Sequence, residues 1–327
     1  MRVSFVVTAF DIEAYIGPCL AQLGCCLRPG DQLIVVDDGS GDRTVEEIEA
    51  GLAGLAGRDL DLQLLALGTN TPGGVGIPAN VGLRQALQGP CEALFFVDGD
   101  DLVAPEGVNW LRYRFATAPC DLLIGNYLVR EEPAGHLRPP PDACLWARTE
   151  AAATPQARRE LALQMVGVPW RKLYRMEFLR AEALRFPEGD FFFEDGPFHW
   201  QACLRASDIR FADRVVCQHR IGRAGQSMAS RGIELAAFFD HYDRIAALPG
   251  LAPHQAAALR WLLENMAWHV DQLAPEAHWA YAARAQQSLA RVPRGLWRKL
   301  AGDPVAERAR AMAMALARGE LAEVVAG

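Results

Sequence analysis

The run Ala93-Leu94-Phe95-Phe96-Val97-Asp98-Gly99-Asp100-Asp101 restricts the fold more than any other stretch. Its apolar part is too short to cross a membrane and, rich in Phe and Val, reads as a β-strand buried on both faces. The strand ends abruptly in three carboxylates. Unpaired buried charge is expensive, so these must sit at the C-terminal edge of a sheet, holding a cation or meeting water. That edge is where open α/β sheets bind ligands. Asp98-Gly99-Asp100 is an Asp-x-Asp tripeptide: in an extended conformation its two carboxylates share a face, and Gly99 lets the backbone come close to a ligand. Hard oxygen donors of this kind suit Mg²⁺ or Mn²⁺ bridged to a diphosphate. An acidic turn after a strand is also common without an ion, so the tripeptide needs support from the rest of the chain.

That support comes from the order of elements. Val3–Ala9 reads as a strand ending at Phe10-Asp11, followed by helical spacing from Ala14 to Leu27 and a turn at Pro29-Gly30. Gln32–Val36 is a second strand, closing on Asp37-Asp38-Gly39-Ser40, and Val45, Ile48, Leu52 and Leu55 keep a helical period. Leu60–Leu67 is a third strand; a Gly-rich loop from Gly68 to Gly76 leads to a helix near Pro78. Alternation of this kind through about residue 130 predicts a mainly parallel, doubly wound sheet flanked by helices. Parallel strands end on the same side. Phe10-Asp11, Asp37-Asp38 and Asp98-Gly99-Asp100 are therefore expected to converge on one crevice.

Beyond it, Leu122–Val129 reads as another strand, Glu131–Pro155 as a candidate loop over the site, and Phe211–Val216 as a strand. From Ile233 the pattern is helical. We expect a catalytic domain over residues 1–230 and a helical C-terminal appendage over 231–327.

A chain of 327 residues can bury a substantial core, and its net charge of −7 argues against nucleic acid as a partner. Small molecules are the expected partners. Its eight cysteines are scattered, with no C-x-x-C pair, as expected for reduced thiols in a cytosolic protein. No stretch reaches the roughly 18 apolar residues of a membrane span. The expected location is cytoplasmic, with peripheral contact at the inner face of the membrane left open by Gly295-Leu296-Trp297-Arg298-Lys299-Leu300, which mixes apolar and basic residues. An amphipathic helix packed on the catalytic domain would give the same pattern.

Each remaining motif has an ordinary reading beside a functional one. Asp37-Asp38-Gly39-Ser40 is either a capped βα turn or a place where a carboxylate accepts from a nucleobase or ribose. Phe10 is either core or a ring that stacks on a base. The Thr69–Asn80 loop lacks the Walker A ending, and no G-x-G-x-x-G follows the first strand. Glu194-Asp195 follows three phenylalanines; apolar surroundings raise a carboxyl pKa toward the range of a general base, while a helix N-terminus would also favour acids there. His219, followed by Arg220, Arg223 and Ser227, is either structural or part of a metal or phosphate site.

Taken in order, these pieces resemble the family 2 glycosyltransferases of the GT-A fold. The resemblance runs over roughly residues 3–227 and is carried by Val6–Asp11 with Tyr15-Ile16, Ile34–Asp42, Gly74–Gly76 through Asn80–Leu83, Phe96–Asp101, Trp170–Arg175, and Phe186–Gly189 through Glu194-Asp195. It implies inverting transfer of a sugar from a nucleoside-diphosphate donor, a UDP-sugar favoured, to a hydroxyl of a saccharide or lipid-linked acceptor. Thr8, Phe10 and Asp38 fall on the nucleobase and ribose, Asp98 and Asp100 on the ribose and the Mg²⁺ or Mn²⁺, with Asp100 the closer to the metal, and Asp195 on the general base; beside these, Asn80 and Gly99 are expected on the donor side and His219 at the metal. Glu194, Trp170, Lys172, Arg220 and Arg223 are expected phosphate or acceptor contacts. The chain departs from the family in two places: Phe10-Asp11 stands where Tyr-Asn is usual, and Ala79 where an Arg commonly precedes the Asn. Those departures motivate a second reading, a sugar-nucleotide-binding protein without activity; a third is a nucleotidyltransferase, which would release diphosphate.

Overall fold

In the computed structural model, which describes residues 1–223 and 230–326, one nine-stranded mixed sheet carries the fold. The strands are β1 (Val3–Ala9), β2 (Gln32–Asp37), β3 (Asp61–Ala66), β4 (Ala93–Asp98), β5 (Leu102–Val103), β6 (Leu122–Glu131), β7 (His136–Arg138), β8 (Lys172–Arg175) and β9 (Ile209–Ile221), in the order β3-β2-β1-β4-β8-β6-β9-β5 with β7 on β6. The helices are α1 (Ile16–Gly24), α2 (Thr44–Ala53), α3 (Gly76–Ala86), α4 (Pro105–Thr117), α5 (Pro155–Ala162), α6 (Met176–Ala181), α7 (Asp195–Arg205), α8 (Ala237–Ala246), α9 (Gln255–Val270), α10 (His278–Leu289), α11 (Arg294–Lys299), α12 (Pro304–Ala317) and α13 (Leu321–Ala326).

The β3-β2-β1-β4 half is parallel, as the βα alternation requires. Its register pairs Thr8 with Asp98 and Ala9 with Asp37, so the three strand tips end level. The other half departs from expectation. Short β8 inserts antiparallel between β4 and β6, and β9 runs parallel to β6 through a bulge near Asn126.

Alternation along the buried strands sends Phe5, Val7, Phe95 and Val97 to one face and Val6, Leu94 and Phe96 to the other. The first face is closed by α1, α2 and α4 through residues such as Leu20, Ile48 and Leu111. The second is covered by α3, α5, α6 and α7, and its core runs on without a break into Phe239, Leu262 and Ala285 of α8, α9 and α10. The described residues beyond 231 are mainly helical, and their apolar anchors belong to the core that also buries Phe198 and Trp200. Leu296, Trp297 and Leu300 lie in that core, so the side chains a membrane would take are already covered. Among the described residues no helix is long and apolar enough to cross a membrane. All eight cysteines are free thiols.

Candidate active site

At the level tips of β1, β2 and β4 lies a cavity of about 530 Å³. Thr8 and Phe10 enter it from β1, Asp38 from β2, Asp98 and Asp100 from β4, Asn70 and Gly73 to Val75 from the Gly-rich loop, and Trp170 and His219 from the far half of the sheet. Phe192, Phe193, Glu194 and Asp195, at the start of α7, form the opposite wall. The convergence expected from strand order is thus present, and Asp100 and Asp195 share one cavity.

The donor-side tips are held by local bonds. Phe10 keeps its ring 40% exposed, free to cover a planar ligand. Asp38 is buried and accepts from the Thr71 amide at 3.1 Å and its hydroxyl at 3.0 Å; burial raises its pKa. Asp11 does not line the cavity. Its Oδ1 accepts from the Gly41 amide at 2.7 Å, tying the β1 tip to the β2 tip, so the charge that replaces an amide there is spent on loop structure.

The acidic run after β4 differs from the extended tripeptide expected. The Asp101 amide donates to the Asp98 carbonyl at 3.0 Å, making a turn that brings residues i and i+3 together. One ligand atom each from Asp98, Asp101 and His219 lies within 4.8 Å of the others. Asp100 is not in that group: its carboxylate pairs with Arg223 Nε at 2.6 Å. The acidic residue that joins His219 is Asp101, whose Oδ2 lies 3.0 Å from His219 Nδ1. A Cβ on Gly99 would lie 2.8 Å from the Thr8 carbonyl and 2.8 Å from Ile12, so the glycine permits packing of the turn on β1 and α1.

Three carboxylates meet Arg220, Arg223 and His219 in this corner. Burial, then Asp101 and Asp100, push the Asp98 carboxyl well above its usual range. Asp100 is also raised, by burial and then Asp101, against the pull of Arg223. Burial would lower His219, but the Asp101 charge and hydrogen bond overcome it and raise it to about 9. Two carboxylates and an imidazole form a donor set that fits a divalent ion. Trp170 stacks on the His219 ring with centroids 5.0 Å apart, fixing its orientation.

Asp195 opens α7 and is partly buried, lining the cavity; burial, then Glu194, raise its pKa to about 7, while Lys172 and His219 oppose the rise. Its Oδ1 is buried with no hydrogen-bond partner among the described residues. A carboxylate in that state can accept a proton from a hydroxyl beside it.

Several expected contacts lie elsewhere. Asn80 is buried in α3 and its amide is saturated: Nδ2 donates to the Phe186 carbonyl at 2.9 Å and Glu188 at 2.8 Å, and Oδ1 accepts from the Phe186 amide at 3.0 Å. Lys172 is wholly buried beneath α7, on the face of β8 shared with Tyr174, and donates to the Val168 carbonyl; burial lowers it to about 7. Arg220 braces the site from behind, donating from its amide to Asp101 at 2.8 Å and from its guanidinium to Glu132 at 3.2 Å and the Asp100 carbonyl at 2.6 Å. Arg223 does line the cavity, with its guanidinium over the Tyr15 ring. Ser227 lies outside the described residues. The Glu131–Pro155 segment supplies no lining residue; Asp142 from it forms a buried pair with Arg171 at 2.5 Å. Ala79, where an Arg is usual, is packed in the core with no side chain toward the cavity.

Known proteins share both sequence and shape with this arrangement. Glycosyltransferases EpsJ and EpsH of Bacillus subtilis (strain 168) are 26% and 27% identical over 218 and 221 residues, each match covering 67% of this chain and 60% of the relative. The chain thus spans about 60% of the length of these relatives. Among solved structures, S. aureus TarS 1-349 superposes with a TM-score of 0.70 at 22% identity, covering 97% of this chain and 89% of that one. The mannosyltransferase PcManGT from Pyrobaculum calidifontis, in complex with GDP-Man and Mn²⁺, gives a TM-score of 0.57 at 16% identity, over 99% of this chain and 86% of that one. Both likenesses establish the fold. The model of the family described as Glycosyl transferase family 2 matches residues 4–181, a stretch that contains the level strand tips and the acidic turn, and the chain belongs to that family.

Proposed function

We propose that the protein transfers a sugar from a nucleoside-diphosphate donor to an acceptor hydroxyl with inversion at the anomeric carbon, and that Asp195 is the general base. The observation that carries this reading is that a partly buried carboxyl, its Oδ1 buried and its pKa raised to about 7, shares one cavity with Asp98 and His219 of an acidic and imidazole cluster suited to a divalent ion. Phe10 and Asp38 form the nucleoside end. A cation held by Asp98, Asp101 and His219 would offset charge growing on the leaving diphosphate. Arg223, paired with Asp100, lines the same cavity and is proposed to contact the phosphate oxygens. Asp195 removes the acceptor proton as its oxygen attacks from the opposite face.

UDP is the first nucleotide to test, because TarS has been solved in complex with UDP-GlcNAc and the glucosyl-3-phosphoglycerate synthase of Mycobacterium tuberculosis with UDP and Mn²⁺. GDP follows, from the mannosyltransferase complex. The acceptor is proposed as a saccharide or lipid-linked hydroxyl. A panel of nucleotide sugars with Mn²⁺, read by thermal shift and by nucleoside-diphosphate release, tests the reading. Binding with release of nucleoside diphosphate supports it. Binding with no turnover on any acceptor would favour the inactive binder, and release of free diphosphate would favour a nucleotidyltransferase.

A further inference from the structure

Two stretches far apart in sequence form the cavity wall opposite the strand tips: the Gly-rich loop leading into α3, and the Phe186–Asp195 segment leading into α7. They are joined at several points. The Gly74 amide donates to the Phe191 carbonyl at 3.0 Å, and Asn80 binds both backbone groups of Phe186. A Cβ on Gly73 would lie 2.2 Å from the Gly189 carbonyl, and one on Gly76 would lie 2.6 Å from the Pro187 carbonyl, so the two backbones touch where any side chain would part them.

At the centre of this seam is Glu194. It is 3% exposed, and its Oε1 accepts from the Gly74 amide at 2.9 Å and the Gly76 amide at 3.3 Å, the latter being the first residue of α3. An anion at the start of a helix is favoured by the exposed N–H groups there. Glu194 also immediately precedes Asp195, and Phe193 before it holds φ at +69°, a conformation a non-glycine residue keeps only when its surroundings impose it. The carboxylate therefore spans from the backbone of the loop that walls the cavity to the backbone that carries Asp195.

The geometry points to Glu194 as a positioning residue that fixes the glycine wall and the general base to one another, a role that rests on the reading of Asp195 given above. Its carboxylate acts through the Gly74 and Gly76 amides rather than on substrate.

The test compares Glu194→Ala, Glu194→Gln and Asp195→Asn in the full chain, by hydrogen exchange of the 70–80 segment, affinity for UDP with Mn²⁺, and kcat. In Glu194→Ala the Gly76 amide loses its acceptor and the Gly74 amide keeps only the Phe191 carbonyl, so both exchange faster, and both UDP affinity and kcat fall by roughly tenfold or more, the scale expected when a buried donor is left unpaired. Glu194→Gln keeps an acceptor oxygen and should retain slow exchange, with UDP affinity and kcat both above those of Glu194→Ala. Asp195→Asn should lose kcat alone. Wild-type exchange and UDP affinity in Glu194→Ala would overturn the proposal. So would a Glu194→Gln protein as inactive as Glu194→Ala with exchange still slow, since the charge would then act in the chemistry. Faster exchange and weaker UDP binding in Glu194→Ala, alongside a wild type that transfers no sugar, would uphold the clamp and refute Asp195 as base.

Discussion

The two faces of the sheet do different work. The face closed by α1, α2 and α4 is a self-contained layer whose strands and helices alternate along the chain, and it contributes Ile12 to the cavity floor. The other face places the proposed base on α7, holds it against the Gly-rich loop through Glu194, and continues into helices from beyond residue 231. Donor-side groups thus come from strand tips, whose positions follow from sheet register. The base comes from a helix whose position depends on packing with distant sequence. Changes at the tips should therefore act on binding, and changes on the second face on turnover and on the stability of the whole.

The sharpest way to break that contrast is to substitute one residue from each side. Asp195→Asn is expected to lower kcat on the order of 10³-fold while nucleotide affinity stays near wild type. Asp38→Ala, which frees Thr71 and removes a cavity carboxylate, is expected mainly to weaken nucleotide binding. Titration calorimetry alongside steady-state kinetics separates the two, and a shared pattern of loss would erase the distinction between the walls.

Stability offers the next contrast. Phe239 on α8 and Phe5 on β1 are both fully buried, one on each face, and replacing either with Ala should cost about 3–5 kcal/mol. Because the second core is continuous from α7 into α10, Phe239→Ala should lower one cooperative melting transition that also reports loss of nucleotide binding. A separate early transition that leaves binding intact would show that residues 231–327 fold on their own. A smaller effect is expected at Asp101, which belongs to the proposed cation cluster and also hydrogen-bonds His219. Asp101→Asn should weaken Mn²⁺ binding by roughly 10–100-fold, measured by titration of the metal alone.

The smallest expected effect is a shift in pH dependence. Asp195 must be ionised to accept a proton, so the rate should fall as pH drops through its pKa, which is about 7 without a cation and lower with one bound nearby. Lys172 favours the ionised form from beneath α7. Lys172→Met should therefore move the acid limb to higher pH, with the rate recovering above it. A uniformly lowered profile with an unmoved limb would mean that Lys172 only packs.

How far the sequence could be read follows the same division. The parallel strands and their level tips were legible because period, turn residues and length agree there, and convergence of Asp38, Asp98 and Asp195 needs only strand order and one helix start. Strand β8 was not legible: Lys172-Leu173-Tyr174-Arg175 is too short and too basic to read as a buried strand, and its place between β4 and β6 is set by tertiary pairing. The approach of Asp101 to His219 is not legible in the sequence, because it depends on the turn in which the Asp101 amide donates to the Asp98 carbonyl. Asn80 and Arg220 look like ligand contacts as residue types. Their hydrogen bonds to Phe186, Glu188 and Glu132 join segments that no local pattern connects.

The most direct test of an in-line displacement between Asp195 and the cation cluster is the anomeric configuration of the first sugar product. Proton NMR of that product, recorded before mutarotation with water or a hydroxyl as acceptor, should show the anomer opposite to the donor. Retention of the donor's configuration would contradict Asp195 acting as a base on the acceptor in a single displacement.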